Sequence, residues 1–256
     1  MVCAGSRRRP IEEATLFDSE MPCAAESGIL ASARGAGGGS VKPRANDNMS
    51  AEIRHPLFAR FFDRFSQTME REVGPLRDEL VDGLSGRVLE LGAGNGINFS
   101  HYPTSVDAVV AVEPEPYLRA KAEQAGRAAP VPVFVRAGRA ADLSLKSGSF
   151  DAVVCSLVLC SIDDQAAALR ELHAALRSGG QLRFLEHVRG HGVKAKVQRV
   201  MDFSRVWPSV AGGCHASRDT LAGMRASGFT VRQVRSVNVG PRWAPTNPHV
   251  LGVAVR

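Results

Sequence analysis

The chain has 256 residues, 44% of them hydrophobic and 23% charged, the proportions of an ordinary soluble globular protein of one domain with room for an appendage. Collagen-like, fully disordered and small disulfide-scaffold chains are excluded, and with no run of about eighteen uninterrupted apolar residues a spanning helix is excluded too. The net charge of +6 is uneven: residues 177–256 hold thirteen Lys/Arg against three Asp/Glu, a bias that suits anionic partners or a solvated Arg-rich surface. The five cysteines (Cys3, Cys23, Cys155, Cys160 and Cys214) are scattered and form no CxxC pair, so no metal site and a reducing cytoplasm are expected.

Residues 1–48 lack a periodic apolar pattern and include the Gly-rich stretch 33–40, which has much backbone entropy and nothing to bury. They read as a disordered extension, with a domain from Met49 to residue 256, and both Met1 and Met49 are candidate starts. From Pro56, apolar residues at 57, 58, 61, 62, 65 and 69 recur at helical spacing, and a second helix is expected over 73–84. Short β-branched runs at 87–91, 108–112, 131–135, 150–159 and 181–186 then alternate with helical segments at 98–101, 115–125 and 163–176. This alternation predicts an α/β fold, a Rossmann-like doubly wound sheet that is mostly parallel. A basic helix over 193–207 and another over 217–227 follow, and the runs 230–239 and 249–255 predict an antiparallel C-terminal hairpin at the sheet edge.

The run 87–91 delivers the chain into Gly92-Ala93-Gly94-Asn95-Gly96, a strand entering a glycine-rich turn, where ligands sit in open α/β sheets. Glu113 ends the next run twenty-one residues after Gly92, the distance expected of a carboxylate that accepts ribose hydroxyls. A dinucleotide fingerprint would need its last glycine at 97, where this chain has Ile97. Glu90, just ahead of the turn, is a poor neighbour for pyrophosphate and a good one for an ammonium group. S-adenosyl-L-methionine carries an ammonium, a sulfonium and a ribose without phosphate, so charge favours it as cofactor.

The signature Glu90, Gly92, Gly94, Gly96 followed by acidic Glu113 resembles the class I S-adenosylmethionine-dependent methyltransferases of the type 11 group, over about residues 50–256. The resemblance implies that Glu90 and the backbone of Gly92, Ala93, Gly94, Asn95 and Gly96, with Asn98, hold the methionine part. It places Glu113 on the ribose and Pro114 against adenine. Ala140 and Ala141 match the family's adenine loop, while Arg139 stands where an Asp is common. Gly96-Ile97-Asn98-Phe99 with Tyr102, Val154 to Ser161, Phe184-Leu185-Glu186-His187-Val188, Gly213-Cys214 with Arg218, and Pro248 to Gly252 look like the methyltransferase-like proteins that include thiol S-methyltransferases.

Methyl transfer from a sulfonium is an in-line displacement that demands alignment and water exclusion more than a strong base. A thiol needs little help to become a nucleophile at neutral pH, a phenol more, and a carbon acceptor a positioned base. His187 is the candidate base, with a structural histidine as the alternative, and Ser156 and Leu157 are candidate contacts to the cofactor near the methyl group. Cys155 and Cys160 read as small buried hydrophobes. The expected activity is methylation of a small apolar acceptor, sulfur favoured, with C-, O- or N-methylation of a quinone, phenol or lipid amine as alternatives and a non-catalytic nucleotide-binding module as a reading of another class. The basic stretch 193–207 is read as a pocket lid, with peripheral contact to an anionic membrane surface as its other use; no nucleic acid partner is expected, and the oligomeric state is left open.

Overall fold

The structure is a computed structural model that describes residues 55–139 and 145–256. The expected extension 1–48, the domain boundary at Met49, and Ala140 and Ala141 of the adenine loop therefore lie outside the described residues. Seven strands form one sheet in the order β3-β2-β1-β4-β5-β7-β6. They are β1 (Gly86–Leu91), β2 (Val106–Val112), β3 (Val133–Arg136), β4 (Phe150–Ser156), β5 (Leu176–His187), β6 (Thr230–Asn238) and β7 (Pro248–Val255). Neighbouring strands from β3 to β5 are parallel, and β7 runs antiparallel to both β5 and β6. The C-terminal hairpin is thus present, but its second strand inserts against β5 and leaves β6 at the edge.

The central strands are apolar on both faces because helices cover both. Leu89 and Leu91 of β1 join one buried cluster with Leu169 and Leu172 of helix α3 (Gln165–Ala175) and Met224 of α6 (Thr220–Ala226). Val88, one residue before Leu89 and so on the other face of the strand, joins the opposite cluster with Val73, Leu80 and Val81 of α1 (Pro56–Val81). Helix α2 (Pro116–Gly126) follows β2 and buries Leu118 and Ala122.

Three expected elements differ. The two N-terminal helices are one 26-residue helix that runs through Pro75, since nothing between Met69 and Val73 breaks the pattern. The basic helix expected over 193–207 is split into α4 (Gly192–Phe203) and α5 (Val206–Val210), because Arg205 takes a left-handed backbone at φ 58°. The fourth strand ends at Ser156, three residues short, where Leu157 at φ 58° turns the chain out of the sheet and a 3-10 turn follows at Leu159–Ser161. No helix among the described residues is long and apolar enough to cross a membrane.

Candidate active site

Sheet order reverses between β1, which is followed outward by β2 and β3, and β4, which leads the other way. At the carboxyl ends of these strands the chain leaves both of them, and a crevice opens. A cavity of about 370 Å³ occupies it, with Leu91, Gly92 and Gly94 on one side and Ser156, Leu157 and Val158 on another.

The glycine turn is shaped for close approach. Gly92 has φ 64°, and a Cβ there would meet Val158 Cγ2 at 2.3 Å, so the turn admits no side chain and its backbone is left facing the cavity. Glu113 enters from the end of β2 and is 6% exposed. Its Oε2 accepts the Gly94 N–H at 2.8 Å and its Oε1 the Glu115 N–H at 3.0 Å, which fixes the carboxyl on the cavity wall while each oxygen keeps a lone pair for a hydroxyl. Burial raises its pKa, and the two backbone bonds pull the other way.

Charge on the wall is lopsided. Glu113, Glu115, Asp163 and Asp164 line the cavity against the guanidinium of Arg139, which reaches Asp163 at 3.3 Å. Two of these acids also cap helices: Glu115 accepts from Leu118 N and Asp164 from Ala167 N. An acidic crevice suits a cationic ligand. Pro114 and Leu118 add apolar surface beside Glu113, and Phe58, Phe62, Leu157, Val158 and Ile162 supply the apolar remainder, with Gly212 packed against Phe58.

Of the residues expected at the site, Gly92, Gly94, Glu113, Pro114, Ser156 and Leu157 line the cavity. Ala93, Asn95, Gly96 and Asn98 stand behind the turn: Gly96 takes φ 78° at the start of a 3-10 turn (Ile97–His101), and the Asn95 amide donates to Asp63 Oδ1 at 2.9 Å. Two more of the expected residues stand outside the lining. Glu90 does not meet the cavity; it shares the face of Val88, is 1% exposed, and accepts from Tyr102 OH at 2.7 Å and Asn98 Nδ2 at 2.8 Å. Asn98 in turn accepts from Arg77 of α1, which also reaches Ser156 Oγ at 3.3 Å. Burial pushes the Glu90 carboxyl up to about 7, opposed by those two bonds and by Arg77. His187 does not meet the cavity either; it is 4% exposed at the end of β5, beneath the loop that carries Cys214.

The sequence reading missed Arg77, and it quoted Tyr102 and Glu186 in motifs without giving either a role. Glu186 is fully buried and its Oε1 accepts from Val158 N at 3.1 Å and Leu159 N at 3.0 Å, fixing the turn that borders both Leu157 and Cys160. Arg77, Tyr102 and Glu186 come from a helix, a turn and a strand that the fold brings together, and no local spacing announces them.

Residues 89–184 match the methyltransferase domain family. The thiol S-methyltransferase TMT1B of Mus musculus is 33% identical over 205 residues, covering 78% of this chain and 83% of that protein. This chain belongs to the S-adenosylmethionine-dependent methyltransferases. The human TMT1B thiol S-methyltransferase is 34% identical over 182 residues, 69% of this chain and 74% of its own. The fold is shared with an S-adenosylmethionine-dependent methyltransferase from Mesorhizobium loti, at a TM-score of 0.55 and 20% identity, covering 72% of this methyltransferase and 97% of that chain. The cofactor of this methyltransferase is S-adenosyl-L-methionine, and the crevice fits it. Glu113 offers lone pairs to a ribose diol, the side-chain-free turn at Gly92 admits the ligand to the backbone, and the acidic wall suits a sulfonium and an ammonium.

Proposed function

We propose that this methyltransferase methylates the thiol of a small apolar acceptor. The observation that carries the reading is the apolar lining that Phe58 and Phe62 of α1 and Leu157, Val158 and Ile162 after β4 give to the cavity that also holds Glu113. It is supported by the similarity to thiol S-methyltransferases over most of the chain.

When bound, S-adenosyl-L-methionine supplies a methyl group on a good leaving group, the thioether. Glu113 would hold the ribose, the backbone of Gly92 and Gly94 would lie against the remainder of the cofactor, and Ser156 and Leu157 would border it where the apolar lining begins. Leu157 holds its left-handed backbone because its N–H donates to Leu185 O at 2.8 Å, so the contact surface is rigid and strained rather than adaptable. The phenylalanines exclude water and orient the acceptor, which is what an in-line displacement requires. The acceptor's thiol would release its proton to solvent, with the cofactor's thioether as the leaving group. A thiol needs less help from a base than a phenol or a carbon acceptor does, which favours sulfur as the nucleophile.

The acceptor's apolar character suits a membrane surface as its source. Leu57, Phe61 and Phe65 of α1 are exposed beside the two phenylalanines of the wall. Val193, Val200 and Phe203 of α4 are exposed as well, on a helix carrying Lys194, Lys196 and Arg199. Apolar and basic side chains together fit peripheral contact with anionic lipid on the cytoplasmic side. The decisive experiment measures S-adenosylhomocysteine formed from a panel of alkyl and aryl thiols, phenols and quinones. Turnover confined to thiols supports the proposal, and faster turnover of a phenol or quinone overturns it.

A further inference from the structure

Behind the cavity the fold gathers three soft or borderline metal donors that the methyl-transfer reading does not use. Cys160 in the 3-10 turn after β4, His187 at the end of β5 and Cys214 in the loop between α5 and α6 bring their donor atoms within 4.8 Å of one another. Cys160 is 3% and His187 4% exposed, and both cysteines are free thiols. The His187 ring meets Cys214 Sγ through its Nδ1 at 3.9 Å and also bonds the Cys160 thiol, while its Nε2 is buried with no partner among the described residues. A buried imidazole nitrogen without a partner destabilises the fold, so the arrangement asks for a reason.

The three donors are also held in place by separate clamps. Glu186 fixes the turn below Cys160 through Val158 N and Leu159 N, and the His215 N–H donates to Cys160 O at 3.0 Å. The Arg218 guanidinium donates to Leu159 O and Ile162 O, tying the same turn to the loop. Asp202 of α4 accepts from Ala216 N, Ser217 N and Ser217 Oγ, which pins the loop just past Cys214. His249 lies across from His187 in the β5–β7 register with ring centroids 5.4 Å apart, and its own Nδ1 is engaged with Asn247 O at 2.9 Å.

We infer that Cys160, His187 and Cys214 form a binding site for a soft or borderline divalent cation of the zinc class. Bonds of about 2.3 Å to sulfur and about 2.1 Å to nitrogen in a tetrahedron set donors roughly 3.6 to 3.8 Å apart. The 3.9 Å between Cys214 Sγ and His187 Nδ1 is already there, and a contraction of about 1 Å completes the set. Three protein donors leave the fourth position for water or another ligand. On binding, both thiols lose their protons and the imidazole binds in its neutral form, so about two protons are released per ion. The inference concerns the metal alone and stands apart from the identity of the methyl acceptor.

The test uses the full chain with Cys3 and Cys23 replaced by Ser, so that the remaining thiols are the described ones. Titration with Co²⁺ under reducing conditions is expected to give a near-ultraviolet thiolate-to-cobalt band that saturates at about one ion per chain and is displaced by Zn²⁺. Calorimetry of Zn²⁺ in buffers of different ionisation enthalpy is expected to report the proton release. Cys214→Ser and Cys160→Ser should each abolish the band, while Cys155→Ser, buried in the core away from the cluster, should keep it. Absence of a saturable band in the parent overturns the inference. So does a parent chain, purified without added oxidant, that is two hydrogens lighter by intact mass with Cys160 and Cys214 joined, since the cluster would then be a disulfide pair.

Discussion

Replacing Glu90 by Gln separates a sealed internal strut from a cofactor ligand. Burial, the largest influence, lifts this carboxyl from 4.5 to about 7 in the folded chain. Between those two values the folded state therefore binds more protons than the unfolded one, and stability falls as pH rises. The contribution is fully present below about pH 4.5 and is lost once pH passes about 7; at 1.36 kcal/mol per unit the gap is worth about 3 kcal/mol. Gln does not titrate. The unfolding free energy of Glu90→Gln, less that of the parent, should therefore rise by about 3 kcal/mol between pH 4.5 and pH 8. A fixed cost from turning an NH₂ toward Tyr102 or Asn98 shifts both ends equally and drops out. Urea denaturation followed by circular dichroism across that range reads the difference, and calorimetry should find cofactor affinity changed less than about tenfold. A pH-independent difference would show the carboxylate ionised and paired to Arg77, and a larger loss of affinity would show that it reaches the cofactor.

Glu113→Gln removes a charged acceptor on the cavity wall; losing about 1.5 to 3 kcal/mol should raise the S-adenosyl-L-methionine Kd roughly 10- to 100-fold by calorimetry, and an unchanged Kd would contradict the placement of the ribose. Gly92→Ala forces a Cβ to 2.3 Å from Val158 at a left-handed φ, so cofactor binding should be lost together with several degrees of Tm, and adding Val158→Ala should restore part of both. Leu157→Gly relieves a left-handed backbone worth about 1 to 2 kcal/mol, so stability to urea should stay within about 1 kcal/mol of the parent while kcat/KM for an apolar thiol falls.

The sheet and the cofactor crevice were legible because each rests on a local pattern. The glycine turn follows its strand directly, and Glu113 lies one βαβ step later, so spacing alone brings both to the same edge. The side on which Glu90 falls was legible too, since residues two apart share a face and Val88 is buried against α1; the signature's charge argument outweighed that alternation. Arg77 was hidden because its partners lie on other elements, Asn98 in the turn after β1 and Ser156 at the end of β4. The Cys160, His187 and Cys214 cluster shows no ligand spacing at all, because strand order, rather than proximity in the chain, assembles it. Arg205 gave no warning either, being a non-glycine residue in the conformation that glycine favours.

Helix α1 carries Phe58 and Phe62 at one end and Arg77 near the other, so one rod about 39 Å long touches both the mouth of the crevice and the sheet's interior. Its first half is tied to the glycine turn and to α2 by Asp63, which accepts from Asn95 Nδ2 at 2.9 Å and Tyr117 OH at 3.0 Å, and its last turns by the Arg77 guanidinium. Acceptor preference is therefore the trait most open to redesign: exchanging Phe58 and Phe62 between relatives, with Asp63 kept, should swap which molecules are methylated and leave the grip on the methyl donor as it was.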